Sequence, residues 1–292
     1  MSLNRRQFIK LAGLGMGGML LLPKDVEASG GGDAENGVAM LYDTTLCIGC
    51  KACQNACKDW NENPVEPDPT GLYDAPLELS ADTWTIIKLY DGDDERSFSR
   101  LGCMHCIDPA CVAACPVHAL QKTSEGPVVY DANRCIGCRY CMIACPFSVP
   151  KFEWEEVLPR VSKCTFCTGN NQNREKDRLS VGKGPACAEA CPTGALTWGT
   201  RGELLSEAER RLAENADKYV KHIYGKNDGG GTSVLYLSHV PFEKLGLPTL
   251  GPEPVPELND QLAPIILPTL FIGGVLVLAG AHYLTGKKSQ EN

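Results

Sequence analysis

Sixteen cysteines stand out in this sequence of 292 residues, and all of them fall into four compact groups. In every group the last two cysteines are separated by three residues. The groups are, in chain order, Cys47, Cys50, Cys53 and Cys57; Cys103, Cys106, Cys111 and Cys115; Cys135, Cys138, Cys141 and Cys145; and Cys164, Cys167, Cys187 and Cys191. Disulfide scaffolds are usually small domains with irregularly spread cysteines. Regular groups in a chain of this length therefore indicate metal binding.

The spacing within the groups favours iron–sulfur clusters over zinc. Three thiolates within seven residues, as in Cys47–Cys53 and Cys135–Cys141, can wrap one corner of a cubane and bind three of its irons. Structural zinc sites tend to use two well-separated cysteine pairs, and these runs cannot be split that way without leaving a thiol unused. In two-cluster ferredoxins the fourth cysteine of such a run binds the neighbouring cluster. We therefore predict four [4Fe–4S] clusters, one for every four thiols.

Two internal sequence repeats indicate that ferredoxin units are duplicated. Residues 128–131, before the third group, resemble residues 40–43, before the first, and residues 191–196 resemble residues 115–120. We predict an α+β fold of duplicated bacterial-type 2[4Fe–4S] modules over residues 39–200, with extra loops. The second and third groups are adjacent in the chain and are expected to form one module. The first and fourth groups would form the other.

Residues 201–262 are predicted to add a helix, a strand and an extended strap. An apolar stripe predicts an amphipathic helix over Leu204–Ile223. Gly229–Gly231 lacks a following Lys-Ser/Thr and is predicted to be a turn before the strand Ser233–Ser238. The proline-rich residues 239–262 are predicted to lead to a membrane as an extended strap.

Two long polar segments are predicted to be surface loops. They are residues 61–82 and the insertion within the fourth group, residues 168–183. Either loop could dock a catalytic partner, or both could be idle solvated loops.

The N-terminal residues 1–28 are predicted to be a twin-arginine (Tat) signal peptide. Arg5-Arg6 precede a short, glycine-rich apolar run, and residues 26–28 form an A-x-A-like cleavage site. The apolar run is too short to span a membrane. An amphipathic N-terminal helix is the alternative.

The C-terminal residues 263–284 are predicted to form one transmembrane helix. They contain no charged residue, and as a helix they would reach about 33 Å at about 1.5 Å per residue. Lys287 and Lys288 follow them directly. The positive-inside bias then places residues 285–292 in the cytoplasm and the cluster domain on the periplasmic face of the bacterial inner membrane. A buried hairpin helix is the alternative.

The net charge of −8, without a basic run, argues against a nucleic-acid partner. No residue pattern predicts a catalytic acid, base or nucleophile, so we expect a non-catalytic subunit whose redox chemistry belongs to its clusters.

The chain resembles the four-cluster iron–sulfur (beta) subunits of membrane-bound respiratory oxidoreductases. The resemblance is closest to the hydrogenase-2-type subunit of periplasmic nickel–iron hydrogenases. It rests on Leu41–Cys50, Cys103–Pro109, Cys138–Met142 and Tyr224–Pro248, and it covers nearly the whole chain. Possession of both a twin-arginine signal and a C-terminal span also favours that branch.

The resemblance implies which thiols share a cluster. The four expected quartets are a first of Cys47, Cys50, Cys53 and Cys191; a second of Cys164, Cys167, Cys187 and Cys57; a third of Cys135, Cys138, Cys141 and Cys115; and a fourth of Cys103, Cys106, Cys111 and Cys145. The implied partners are the small and large hydrogenase subunits and an integral membrane subunit that reacts with quinone in anaerobic respiration.

Two rival interpretations remain open at this point. One is the beta subunit of a membrane-bound formate dehydrogenase or another molybdenum oxidoreductase. The other is an envelope protein stabilised by zinc or disulfides, with no redox role.

Overall fold

The computed structural model describes residues 35–65, 76–92, 95–154, 159–168 and 177–256, together with residues 273–275 and 278. The strands of this part of the chain are β1 (Val38–Asp43), β2 (Thr85–Asp91), β3 (Arg96–Gly102), β4 (Leu120–Lys122), β5 (Val128–Tyr130), β6 (Lys151–Phe152), β7 (Val161–Ser162), β8 (Leu196–Thr200) and β9 (Val234–Leu237). The helices are α1 (Ala52–Asn61), α2 (Ala110–Ala113), α3 (Tyr140–Ala144), α4 (Ala186–Glu189) and α5 (Arg201–Glu214).

The central sheet has β1 in the middle, antiparallel to β8 on one side and parallel to β9 on the other. Side chains of a strand alternate between faces, and both faces of β1 are covered. Met40 and Tyr42 belong to one core cluster. Ala39 and Leu41 belong to another, which α5 completes. The sheet therefore lies between two apolar layers.

Strand pairing connects the cysteine groups in a particular way. β1 precedes the first group and pairs with β8, which follows the fourth group. β4 follows the second group and pairs with β5, which precedes the third. The pairs β2–β3 and β6–β7 are also antiparallel. The sheets thus bring the first group to the fourth and the second to the third.

Helix α5 begins with a capping box. The hydroxyl of Thr200 accepts a hydrogen bond from the backbone N–H of Glu203, and the carboxylate of Glu203 accepts one from the backbone N–H of Thr200. Such reciprocal caps satisfy two otherwise unpaired N–H groups. The cap explains why the helix begins at Arg201, before its apolar stripe.

The same helix ends at Glu214, so the predicted extension to Ile223 is wrong. Residues 215–218 turn instead, closed by a hydrogen bond from Lys218 N to Asn215 O. Tyr219 and Ile223 nevertheless pack into the same core cluster as the helix. Most of the apolar stripe therefore lies in one core, but its second part reaches that core from a separate segment.

Strand β9, which lies beyond the predicted boundary at residue 200, pairs with β1 of the cysteine-bearing region. The predicted turn before this strand is present as the 3-10 turn Asp228–Gly230. The predicted strap also differs in its described part, residues 239–256. The 3-10 turn Phe242–Leu245 lies there. Four apolar side chains of the strap pack into the core with β1: Val240, Phe242, Leu245 and Leu247.

Several predictions fall on residues outside the described ranges. They concern the signal peptide, almost all of the C-terminal apolar stretch and the middle of both long loops, residues 66–75 and 169–176. Among the residues that are described, no helix is long and apolar enough to cross a membrane.

Gly126 lies where the β4–β5 turn meets the start of β1, and it allows a test of this junction. Its φ is 113°, and an added Cβ would lie 2.8 Å from the carbonyl oxygen of Val38. Gly246 has a φ of 82° but open space around the same position. Gly126→Ala is expected to destabilise the protein by about 1–3 kcal/mol more than Gly246→Ala, because it adds a clash with backbone to the cost of positive φ. Thermal unfolding of the two variants measures the difference, and equal midpoints would contradict it.

Candidate metal centres

The loop after β1 turns tightly around its first thiol. Gly49 and Lys51 adopt left-handed conformations with φ of 68° and 59°, and the N–H of Gly49 donates to Sγ of Cys47 at 3.5 Å. Helix α1 begins immediately afterwards and carries Cys53 and Cys57. Four residues apart, these two thiols stand one turn from each other on the same side of the helix.

The loop after β5 repeats this geometry. Gly137 and Arg139 have φ of 70° and 64°, and the N–H of Gly137 donates to Sγ of Cys135 at 3.4 Å. The returning strands also correspond. Leu196 N donates to Sγ of Cys191 at 3.4 Å, and Ala119 N donates to Sγ of Cys115 at 3.2 Å. The segments that repeat in the sequence therefore occupy equivalent positions around their thiols.

The thiols expected in the first quartet lie together, although Cys191 is far from the others in sequence. Burial raises the pKa of Cys47, and the thiolates of Cys191 and Cys50 raise it further. Burial also raises the pKa of Cys53 to about 12; the charge of Arg100 opposes this rise, while nearby thiolates, among them Cys47 and Cys191, add to it.

The thiols expected in the second quartet are also neighbours. Burial raises the pKa of Cys57, and the thiolates of Cys164, Cys187 and Cys167 each raise it further. Two N–H donors point to sulfur in this quartet. Asn61 Nδ2 lies 3.4 Å from Sγ of Cys57, and the backbone N of Ala186 lies 3.4 Å from Sγ of Cys167.

The remaining thiols form two further sets. Burial raises the pKa of Cys106, followed by the effects of Cys111, Cys103 and Cys145, which are its companions in the fourth quartet. Burial raises the pKa of Cys141 to about 11, followed by the effects of Cys115, Cys135 and Cys138, its companions in the third quartet. Each set combines thiols from two of the sequence groups.

Thiols of different quartets also influence one another, and this gives the quartets an order. One pair of interacting thiols joins each neighbouring pair of quartets: Cys53 with Cys187, Cys164 with Cys103, and Cys111 with Cys141. The order in space is therefore first, second, fourth, third. The family resemblance left the order of the last two quartets open, and the interaction of Cys164 with Cys103 places the fourth quartet next to the second.

The chemistry of these thiols fits iron–sulfur clusters. All sixteen cysteines are free thiols, so none is used in a disulfide. Burial of several thiols side by side raises their pKa values, and a bound metal would deprotonate them as it binds. Within the described ranges no three His, Cys, Asp or Glu side chains converge as ligands of one ion. A cubane accepts such a spread because each of its irons takes a different thiolate.

Two buried cations, Arg100 and Lys163, and the half-buried Lys122 lie among the thiols, and sequence reasoning missed them. Arg100 is fully buried, and no partner in the described residues meets full hydrogen-bond geometry for its Nε and both Nη atoms. Lys163 donates from Nζ to the carbonyl oxygens of Val128 and Cys164, and its charge lowers the pKa of Cys111 against the dominant effect of burial. Burial lowers the pKa of Lys122 to about 8, opposed by thiolates of the fourth quartet. The sequence signal that could have identified them is closeness to cysteines, as for Lys163 directly before Cys164.

The two histidines near the second group differ in their surroundings. His105 is buried, and its Nδ1 accepts a hydrogen bond from Val128 N at 2.9 Å. That acceptor role leaves the proton on Nε2, an atom without a partner in the described part of the chain. His118 is exposed.

Comparison with known proteins gives this arrangement its context. Residues 95–201 match the family model described as a 4Fe-4S dicluster domain. Hydrogenase-2 operon protein HybA of Escherichia coli O157:H7 is 36% identical over 326 residues, covering 99% of this chain and 97% of that protein. The nitrate-inducible formate dehydrogenase iron–sulfur subunit of Escherichia coli K12 is 41% identical over 210 residues, covering 69% and 68%. The formate dehydrogenase iron–sulfur subunit of Haemophilus influenzae is 36% identical over 265 residues, covering 85% and 80%.

The chain belongs to this family of ferredoxin-type iron–sulfur subunits. The family resemblance inferred from the cysteine motifs is therefore confirmed. The sixteen free thiols and the dicluster match support [4Fe–4S] clusters. The chain is an iron–sulfur electron-transfer subunit of the hydrogenase or formate dehydrogenase type.

Two cysteines of α1 provide a test of the thiol sets. Cys53 lies with the first quartet and Cys57 with the second. Cys53→Ser and Cys57→Ser are therefore expected to impair two different clusters, because serine is a poor substitute for a soft thiolate ligand. EPR spectra of the two reduced variants should each lack a different signal of the wild type. Loss of the same signal in both variants would contradict this division of the helix.

Proposed function

We propose that the chain holds four [4Fe–4S] clusters in the four quartets and relays electrons between a periplasmic nickel–iron hydrogenase and a membrane subunit that reacts with quinone. The observation that carries the proposal is the spatial order of the thiols: first, second, fourth and third quartet, each interacting with the next. Bound clusters would supply one-electron carriers. The protein's own residues hold them close together and shield them from water.

The two ends of this series reach the surface, which supports two docking sites. At the first quartet Cys50 is exposed and Ile48 is 58% exposed. At the third quartet Ile136 is 66% exposed, in the same motif position, and Ile143 is 84% exposed. Large exposed apolar side chains mark interaction surfaces when they cluster. We assign the end at the first quartet to the catalytic partner and the end at the third quartet to the membrane subunit.

Full-length similarity favours a hydrogenase partner. The alignment with HybA spans 97% of that protein, including both ends of this chain. Formate dehydrogenase is the second candidate, favoured by the higher identity of 41% over a shorter stretch of 210 residues. The cysteine-bearing part is thus common to both, and the terminal regions favour the hydrogenase type.

The ends of the chain complete the proposal. Residues 1–28 would direct export by the Tat route, and residues 263–284 would span the inner membrane once. The clusters would then lie on the periplasmic side, with residues 285–292 in the cytoplasm. This orientation rests on Lys287 and Lys288 directly after the apolar stretch.

Anaerobic purification of the tagged full chain from membranes tests the partner and the cluster count in one sample. We expect about sixteen irons and sixteen sulfides per chain, as four cubanes require. A co-purifying large subunit should contain nickel, because a hydrogenase partner is proposed. The Cys53→Ser variant is the matched control, expected to contain about four irons fewer.

Each alternative gives a different result in this experiment. Molybdenum in place of nickel in the co-purifying subunit would identify the formate dehydrogenase type. Iron far below the expected content in the wild type, with zinc in its place, would refute the electron-transfer proposal.

Deletion of residues 263–292 tests the membrane anchor. The truncated chain is expected to leave the membrane fraction during an alkaline carbonate wash, because the apolar stretch is its proposed span. Full-length Cys53→Ser should stay in the membrane, since only a cluster ligand is changed. Retention of the truncated chain after the wash would argue against the anchor.

A further inference from the structure

Arg100 is a charged side chain in an unusual position. It lies on β3, opposite Ile87 of β2, and no part of it reaches solvent. Its backbone carbonyl accepts a hydrogen bond from the hydroxyl of Tyr236 at 2.8 Å. A Cβ at Gly102 would lie 3.2 Å from one Nη atom, so the side chain is closely surrounded.

The guanidinium lacks the partners that a buried arginine normally has. Within the described part of the chain no partner meets full hydrogen-bond geometry for its three nitrogens, and no carboxylate there pairs with it. The polar groups that interact with it as weak hydrogen-bond acceptors are the thiol of Cys187 and the hydroxyl of Tyr236. A buried, unpaired charge is strongly unfavourable. Arginine cannot escape this by losing its proton, because its pKa lies far above physiological pH.

The groups that do act on Arg100 are the hydroxyl of Tyr236 and thiols of two quartets. Burial alone would lower the pKa of Arg100, but the ionised forms of Tyr236, Cys187, Cys164 and Cys53 outweigh it and raise that pKa. Cys53 belongs to the first quartet, and Cys164 and Cys187 belong to the second. The charge of Arg100 in turn opposes the rise in pKa of Cys57. The backbone geometry agrees, because the N–H of Ile87, opposite Arg100, donates to Oε1 of Gln54 at 3.3 Å, and Gln54 lies on α1 between Cys53 and Cys57. The guanidinium thus lies at the boundary between these quartets.

We propose that Arg100 is a fixed positive charge shared by the first and second clusters, and that it raises the reduction potentials of both. The inference rests on the proposed function, because it requires clusters in these quartets. A cubane with four thiolates is an anion, and reduction by one electron makes it more negative. A nearby cation that cannot titrate therefore favours the reduced form. No proton or further reactant is involved, since the charge of Arg100 is the same before and after reduction.

Other cations of the interior, buried or half-buried, provide the contrast. Lys163 and Lys122 act on thiols of the fourth quartet. Arg201 is a buried arginine that donates to three backbone carbonyls, those of Thr232, Gly225 and Lys226. Its environment is therefore satisfied by the protein alone, and it is a matched control for the loss of a buried guanidinium.

The test measures reduction potentials in the full chain by EPR-monitored redox titration. The variants are Arg100→Met and Arg100→Gln, which remove the charge, Arg100→Lys, and Arg201→Met as control. All are titrated well below the pKa of about 8 that burial gives Lys122, so that a lysine at position 100 keeps its charge. The signals of the first and second clusters are identified by their absence from Cys53→Ser and Cys57→Ser. At the wild-type midpoint, the neutral variants should show an about tenfold lower ratio of reduced to oxidised first and second cluster, equivalent to about 59 mV for one electron.

The expected pattern has three parts. The neutral Arg100 variants lower both potentials, Arg100→Lys keeps them near the wild type, and Arg201→Met leaves them unchanged. Loss of only the first and second clusters in the neutral variants, with retention in Arg100→Lys, would also support the charge. If Arg100→Lys loses the same clusters as the neutral variants, the site requires the shape of arginine and not its charge. That result overturns the proposal.

Unchanged potentials in cluster-replete Arg100→Met or Arg100→Gln would equally overturn it. This result differs from failure of the proposed function itself, in which the wild type would lack the four clusters before any variant is compared.

Discussion

The pairing of β1 with β8 is the contact on which the rest of this structure depends. It joins Val38–Asp43 to Leu196–Thr200, the two ends of the cysteine-bearing region. Without it Cys191 would not reach Cys47, and the first quartet would lack its fourth thiol. Long-range strand pairing has a high entropic cost. Cluster binding would offset this cost, because every quartet takes thiols from two segments of the chain.

Helix α1 adds a second constraint, since it serves two quartets with one turn. Cys53 faces the first quartet and Cys57 the second, and these neighbouring quartets interact through Cys53 and Cys187. The equivalent arrangement recurs around α3, where Cys141 lies with the third quartet and Cys145 with the fourth. The duplicated unit therefore does more than double the number of thiols. It makes each short helix the link between two adjacent centres.

Burial and charge are balanced within this core. Buried thiols resist ionisation, so their raised pKa values favour the protonated form until a metal displaces the proton. Arg100, Lys122 and Lys163 place positive charge where anionic clusters are expected. A protein of net charge −8 thus has cations in its interior, where they would offset the negative charge of the expected clusters. Backbone N–H groups, such as those of Gly49 and Gly137, add hydrogen bonds to sulfur.

The sequence by itself determined the chemistry of this protein. The spacing of sixteen cysteines indicated iron–sulfur clusters, and the similarity of residues 128–131 to residues 40–43 indicated a repeated unit. These signals are local: a ligand loop needs its thiols and its glycine within a few residues. These motifs also indicated the family.

Only the tertiary structure decided the order of the quartets, the burial of Arg100 and the packing of Val240–Leu247 into the core. It also ended α5 at Glu214, although the apolar stripe continued. Each of these depends on contacts between segments far apart in the chain, and spacing within one segment carries no information about them. The sequence specified which thiols could bind metal, and the fold decided which charges and which quartets they would face.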